Sequence, residues 1–214
     1  MIDFTVIATG STGNAVLIGN EIMVDCGVPF RALRPHYKTL KLVLLTHCHG
    51  DHISPATVRK LAQERPTLRF GCCEWMTEQL VGECGVNKRN IDIYPLGSEI
   101  KYSGFATIRA DATTHNVPNC AYHIQIGEDK VFYATDTNSL HSITAKDYDL
   151  YLVEGNYNEQ EIRARIEAKQ AAGEYCHEWD VLKNHLSEQK ALDFIYSNIG
   201  ASGRYALLHR HQEE

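Results

Sequence analysis

The chain has 214 residues, 43% of them hydrophobic and 22% charged, proportions that exclude wholesale disorder, a collagen repeat and a coiled coil. One domain spanning 1–214 is expected, large enough to fold without disulfide staples, and the seven cysteines, an odd number, read as reduced thiols. The net charge of −6 excludes a general polyphosphate-binding surface, so a phosphate substrate would need a local site to attract it.

In chain order, Ile2–Ala8 predicts a strand and Gly10–Asn14 (GSTGN) a polar turn. Ala15–Ile18 and Ile22–Asp25 predict short strands around a Gly19-Asn20 turn, and Pro29 opens a helix that Pro35 limits. Lys41–Thr46 (KLVLLT) is almost wholly apolar and predicts a buried strand. A helix over 54–64 follows, with Ser54 as its cap and Pro55 at its first position. Leu68–Gly71 predicts a strand, and Glu74–Cys84 a helix ended by Gly85. From there the pattern turns to strands, at 91–94, 99–102, 105–110, 121–126 and 130–134, with Gly127–Asp129 as a hairpin turn. Asp149–Val153 predicts another buried strand, 159–172 a polar helix, 187–198 a helix and Arg204–His209 a final strand. Strands in both halves with helices after them predict an α/β layered fold. No apolar run approaches the about 18 residues of a membrane span. The opening MIDFTVIATG has no basic region and no apolar stretch of leader length, so a cytoplasmic protein without membrane contact is expected.

The chemistry concentrates in Thr46-His47-Cys48-His49-Gly50-Asp51-His52, directly after the apolar strand. Residues two apart on extended chain point the same way, so His47 and His49 can face one cation. Asp51 and His52 follow Gly50, where the chain can turn toward a neighbouring site. Imidazole and carboxylate suit zinc and similar cations. His115, Asp136 and His209 each sit where a predicted strand runs out into a loop, the place where α/β sheets present ligands. Taken singly, each has a plainer reading as a surface histidine or a turn-forming aspartate.

HCHGDH with the later His115, Asp136 and His209 resembles the metallo-β-lactamase superfamily of metal-dependent hydrolases, and the likeness extends over nearly the whole chain. It implies an α/β, four-layer αββα sandwich, the metallo-β-lactamase fold, with two divalent metal ions, zinc first and manganese or iron as alternatives. Carried over, His47, His49 and His115 would hold one ion, Asp51, His52 and His209 the other, and Asp136 would bridge them. Asp51 is counted with the catalytic residues as well. Two such cations sharing a water would lower its pKa toward neutrality and neutralise charge on substrate oxygens.

The full HxHxDH form with an aspartate bridge resembles the phosphodiesterase and thioesterase branches more than the true lactamases. Asn184-His185-Leu186-Ser187 resembles the His-Leu-Ser element of the YycJ-type and tRNase Z-type branches, which implies that His185 contacts the scissile phosphate and acts as general acid. Ser187 can equally be a helix cap. GSTGN resembles the GSGSSGN element of the YycJ-type branch, and its free backbone N–H groups can help anchor a phosphate, which would place Ser11 and Asn14, with His185 and Ser187, on the substrate; a plain turn is the other reading. Glu154-Gly155-Asn156 supports the site from behind, and 116–120 (NVPNC) shapes the pocket beside His115. The segment 168–184 is a lid, a dimer contact or irregular surface. The expected function is hydrolysis of a phosphodiester, a nucleic acid end or a cyclic nucleotide, with a homodimer implied by the resemblance alone. The alternatives are a thioester or lactone hydrolase that has no need of His185, and a non-catalytic metal-holding nucleotide-binding module.

Overall fold

In a computed structural model that describes residues 2–210, the chain divides into two compact units, the first ending at Ala110 and the second beginning at Asp111.

The first unit is built on β1 (Phe4–Ala8), β2 (Ala15–Ile18), β3 (Ile22–Val24), α1 (Phe30–Leu33), β4 (Leu42–Leu45), α2 (Pro55–Glu64), β5 (Arg69–Cys72), α3 (Thr77–Gly82) and β6 (Ile91–Ile93). Its six strands pair in chain order, β1-β2-β3-β4-β5-β6. The first two pairings are antiparallel and the remaining three parallel. All four residues of β4 (LVLL) are buried, as a parallel strand covered on both faces requires. Val43 and Leu45 pack with Val58 and Leu61 of α2 and with Leu80 of α3. The alternate residues of β4 thus face the helices while their neighbours face the other way.

β7 (Glu99–Tyr102) and β8 (Ala106–Thr113) form an antiparallel pair that leads out of the first unit. The second unit continues with β9 (Asn119–Ile126), β10 (Asp129–Ala134), β11 (Leu150–Glu154), α4 (Glu159–Ala172), α5 (Glu178–Asn184), α6 (Glu188–Asn198) and β12 (Arg204–Leu208). The second sheet runs β12-β11-β10-β9-β8-β7, with β10, β11 and β12 parallel to one another. Its core joins Phe132, Ala134, Tyr151 and Val153 of the strands to Leu186, Ala191 and Ile195 at α6. A smaller cluster, Tyr157, Ile162 and Ile166, packs against Val181 and Leu182 and so binds α4 to α5.

The predicted elements are found with shifted ends, and three details differ. The helix expected over 74–84 opens with a tight 3-10 turn at Glu74–Met76 before α3. Ser54 stands at the cap position of α2 without a side-chain cap bond; its backbone N–H is spent on Cys26 O instead, at 2.9 Å. The part of 168–184 left without an element holds α5, whose seven residues are too few for a clear helical period. All seven cysteines are free. No helix of the described residues is long and apolar enough to cross a membrane.

Candidate metal centre

In the first unit the residues of HCHGDH leave β4 as irregular chain and are fixed from two sides. Asp25, fully buried at the end of β3, accepts from Thr46 N at 3.0 Å and Thr46 Oγ1 at 2.9 Å, and sits 2.7 Å from His52 Nδ1. It adopts φ +61, a left-handed conformation that non-glycine residues occupy only where the surroundings hold them. Thr46 Oγ1 is also 3.0 Å from His47 Nδ1. On the second side, Asn14 N donates to Asp51 O at 2.6 Å, Cys26 N to His52 O at 2.8 Å and Gly27 N to Asn14 O at 2.9 Å. Gly27 is required by this approach, because a Cβ there would lie 1.7 Å from Asp51 O.

The ring nitrogens respond to this frame. His47 Nε2 and His49 Nδ1 face each other at 3.1 Å, as their spacing predicts, while Cys48 is exposed. Asp51 Oδ2 lies 3.4 Å from His52 Nε2. Asn14, almost fully buried, donates through Nδ2 toward Asp51 Oδ2 at 3.3 Å and stands 2.9 Å from His52 Nε2. A cation on that nitrogen would displace this last contact.

In the second unit four predicted residues gather at the C-terminal ends of the parallel strands. Asp136 follows β10 and His209 follows β12, both in left-handed backbone at φ 54 and φ 50. Asn119 holds the first by donating from Nδ2 to Thr135 O and Asp136 O at 2.9 and 2.7 Å. Asn156 holds the second, donating to His209 O at 2.8 Å with the same Nδ2 3.0 Å from His209 Nδ1. His185 caps the C-terminus of α5, and its Nδ1 contacts Glu154 Oε1 at 2.5 Å. Glu154 Oε2 accepts from Thr137 N at 2.9 Å. His115 Nδ1 lies 3.1 Å from Asn184 O. Asp136 Oδ1 is 3.6 Å from His209 Nε2 and 3.7 Å from His185 Nδ1, and the His185 and His209 rings stack 5.2 Å apart. The ligand atoms of Asp136, His185 and His209 lie within 4.8 Å of one another, close enough to hold a metal ion.

A family model described as a beta-lactamase superfamily domain matches residues 20–189. The chain belongs to the beta-lactamase superfamily. Within the superfamily, an exodeoxyribonuclease YycJ of Bacillus anthracis is 26% identical over 145 residues, 63% of this chain and 54% of the relative. The chain therefore spans about half the length of that curated relative. A metallo-β-lactamase fold protein, YhfI of Bacillus subtilis, aligns over all of this chain and 88% of its own at a TM-score of 0.76 and 21% identity. Human tRNase Z, short form, aligns over 99% of this chain and 93% of its own at 0.69 and 15% identity. The fold expected from the resemblance, the αββα metallo-β-lactamase fold, is the fold of this chain.

The donor set suits the divalent cations of that superfamily. His52 and His115 turn Nδ1 toward a carboxylate and a carbonyl, and His47 turns it toward a hydroxyl. Engaging one ring nitrogen orients the imidazole and leaves Nε2 for the metal. Burial pushes the Glu154 carboxyl up, nearby Asp136 adds to this, and the hydrogen bond to His185 opposes it.

Among the expected substrate residues, only Ser11 is exposed on its loop. Asn14 is buried and committed to the loop and to Asp51–His52. Ser187 is fully buried, accepts from Lys190 N at 3.1 Å as the cap of α6 and donates to Glu159 Oε1 at 2.8 Å. Ser187 thus stands at the N-cap of α6. Asp25, Gly27 and the structural role of Asn119 escaped the sequence reading. The one available signal was a carboxylate at the end of an otherwise apolar strand, followed by Gly27.

Proposed function

We propose that this chain is a dinuclear metal-dependent hydrolase of phosphodiesters, with nucleic acid ends or cyclic nucleotides as substrates. His47, His49 and His115 would hold one ion and Asp51, His52 and His209 the other, with Asp136 between them. Zinc suits this imidazole-rich set first, and manganese or iron share its ligands. Two bound cations would supply positive charge at the phosphoryl oxygens and acidify the attacking water.

The observation that carries the phosphodiester reading is the Glu154–His185 pair. Glu154 is fully buried and fixes Nδ1 of His185, so the proton that moves is the one on Nε2. His185 is partly exposed and stands beside Asp136 and His209, where Nε2 can donate to a leaving oxygen. A protonated imidazole held by a carboxylate is suited both to contact a phosphate and to act as general acid near neutral pH. The exodeoxyribonuclease relative supports the same substrate class. Asp51 completes the reading as ligand and catalytic carboxylate, and Ser11 supplies an exposed hydroxyl on the loop that Asn14 secures. The reading further places the chain in the cytoplasm as one working domain, with a second copy as its partner.

His185→Ala tests the assignment. Loss of phosphodiester turnover by about 10²–10⁴-fold, with metal content unchanged, is expected. Turnover at the wild-type rate would remove His185 from the mechanism and favour a thioester or lactone hydrolase.

A further inference from the structure

The second unit contains a cavity of about 410 Å³ between the 138–143 loop and α6. Both walls begin at the candidate site. The loop leaves Asp136 by way of Thr137, and Asn138 Nδ2 reaches across to Lys183 O at 2.6 Å. The facing wall begins at Leu186, the residue after His185, and continues along α6. The floor is apolar. Leu140, Ile143 and Leu186 are buried in the core of the unit, and Phe194 is partly buried against it. The rim carries Lys190 and Asp193, one turn apart on α6 and both exposed. Neither side chain has an ion-pair or hydrogen-bond partner among the described residues. An ammonium and a carboxylate that share a rim without meeting each other are both available to a ligand.

We propose that this cavity is a nucleotide subsite, taking the base and phosphate adjacent to the phosphodiester that is cut. The proposal rests on the phosphodiesterase reading for its role in catalysis, and on the cavity alone for binding. Its volume lies in the range of small-molecule pockets. A flat aromatic base fits an apolar floor with one aromatic ring, where stacking stabilises a bound nucleotide. Lys190 offers a positive charge to the phosphate, in a chain whose acidic balance gives little general attraction. Asp193 accepts from the polar edge of the base. An acyl chain would use the floor and leave both rim charges without a role.

Equilibrium titration of the full chain with deoxyadenosine monophosphate and with ribose 5-phosphate is the test, because it reads binding without any hydrolysis. The nucleotide should bind about tenfold more tightly than the base-free phosphate, from the stacking contribution. Phe194→Leu, which keeps the core filled, should remove most of that preference, and Lys190→Ala should weaken both ligands. Equal affinity for the two ligands, or a preference untouched by Phe194→Leu, would overturn the subsite. Hydrolysis of a base-free chromogenic phosphodiester is measured in parallel on the wild type. Its absence in the wild type would count against the phosphodiesterase reading, while the titration would still decide the subsite.

Discussion

At the scale of single residues, the site is held by backbone conformations as much as by its ligands. Asp25, Asp136 and His209 all adopt positive φ, and each follows a strand, β3, β10 and β12 in turn. Such conformations cost of order 1–3 kcal/mol apiece and persist where surrounding bonds fix them, as Thr46 and His52 fix Asp25. Gly27 shows the same dependence on close approach. Gly27→Ala would force its methyl into Asp51 O, and the Asp51–His52 segment must then move. The expected result is metal affinity reduced by at least about tenfold, as when residues supporting a metal ligand are lost, with far-ultraviolet circular dichroism preserved. Wild-type affinity in a folded variant would show that this contact does not position the ligands. HCHGDH was legible because its ligands lie within six residues. Asp25 and Gly27 were not, because their role depends on segments separated from them by more than twenty residues meeting in space.

At the scale of elements, apolar pattern predicted well where an element is long or buried. β4 and β11 read as apolar runs and are fully buried. α4 begins at the Asn158 cap and ends at Gly173 with φ 69. α5 was obscure because nearly two turns of helix, packed through Val181 and Leu182 against α4, leave little periodicity. Another tie is the Lys169–Glu178 ion pair at 2.6 Å. The hydrogen bond from Lys169 holds the Glu178 carboxyl down to about 2 from an ordinary 4.5. A depressed carboxylate contributes stability above its unfolded pKa and loses it as pH falls through the folded value. The urea midpoint of the wild type should therefore exceed that of Lys169→Met at pH 6. The gap should shrink as pH falls from about 4.5 toward about 2. A gap independent of pH would mean that the pair contributes nothing.

At the scale of the whole molecule, the family model matches across the division between the two units, from residue 20 to 189. The thiols distinguish interior from surface. Burial pushes Cys72 up to about 12 and Cys84 up to about 11, and Cys26 is raised further still, so these sulfurs stay protonated and inert at neutral pH. Cys48 alone is exposed among the seven. Ellman's reagent should titrate Cys48 first in the native protein and all seven in denaturant. Rapid native reaction of the buried thiols would contradict this packing.

The central claim is the proposed one, that two bound cations carry phosphodiester hydrolysis. Metal content and hydrolysis of bis(p-nitrophenyl) phosphate should be measured on one sample, after reloading with zinc and separately with manganese, for the wild type and Asp136→Ala. The account predicts about two ions per chain and turnover in the wild type, with turnover lost in the variant. Two bound ions and no turnover with either metal would contradict it, and would shift the reading to thioesters and lactones, then to a metal-holding binding module.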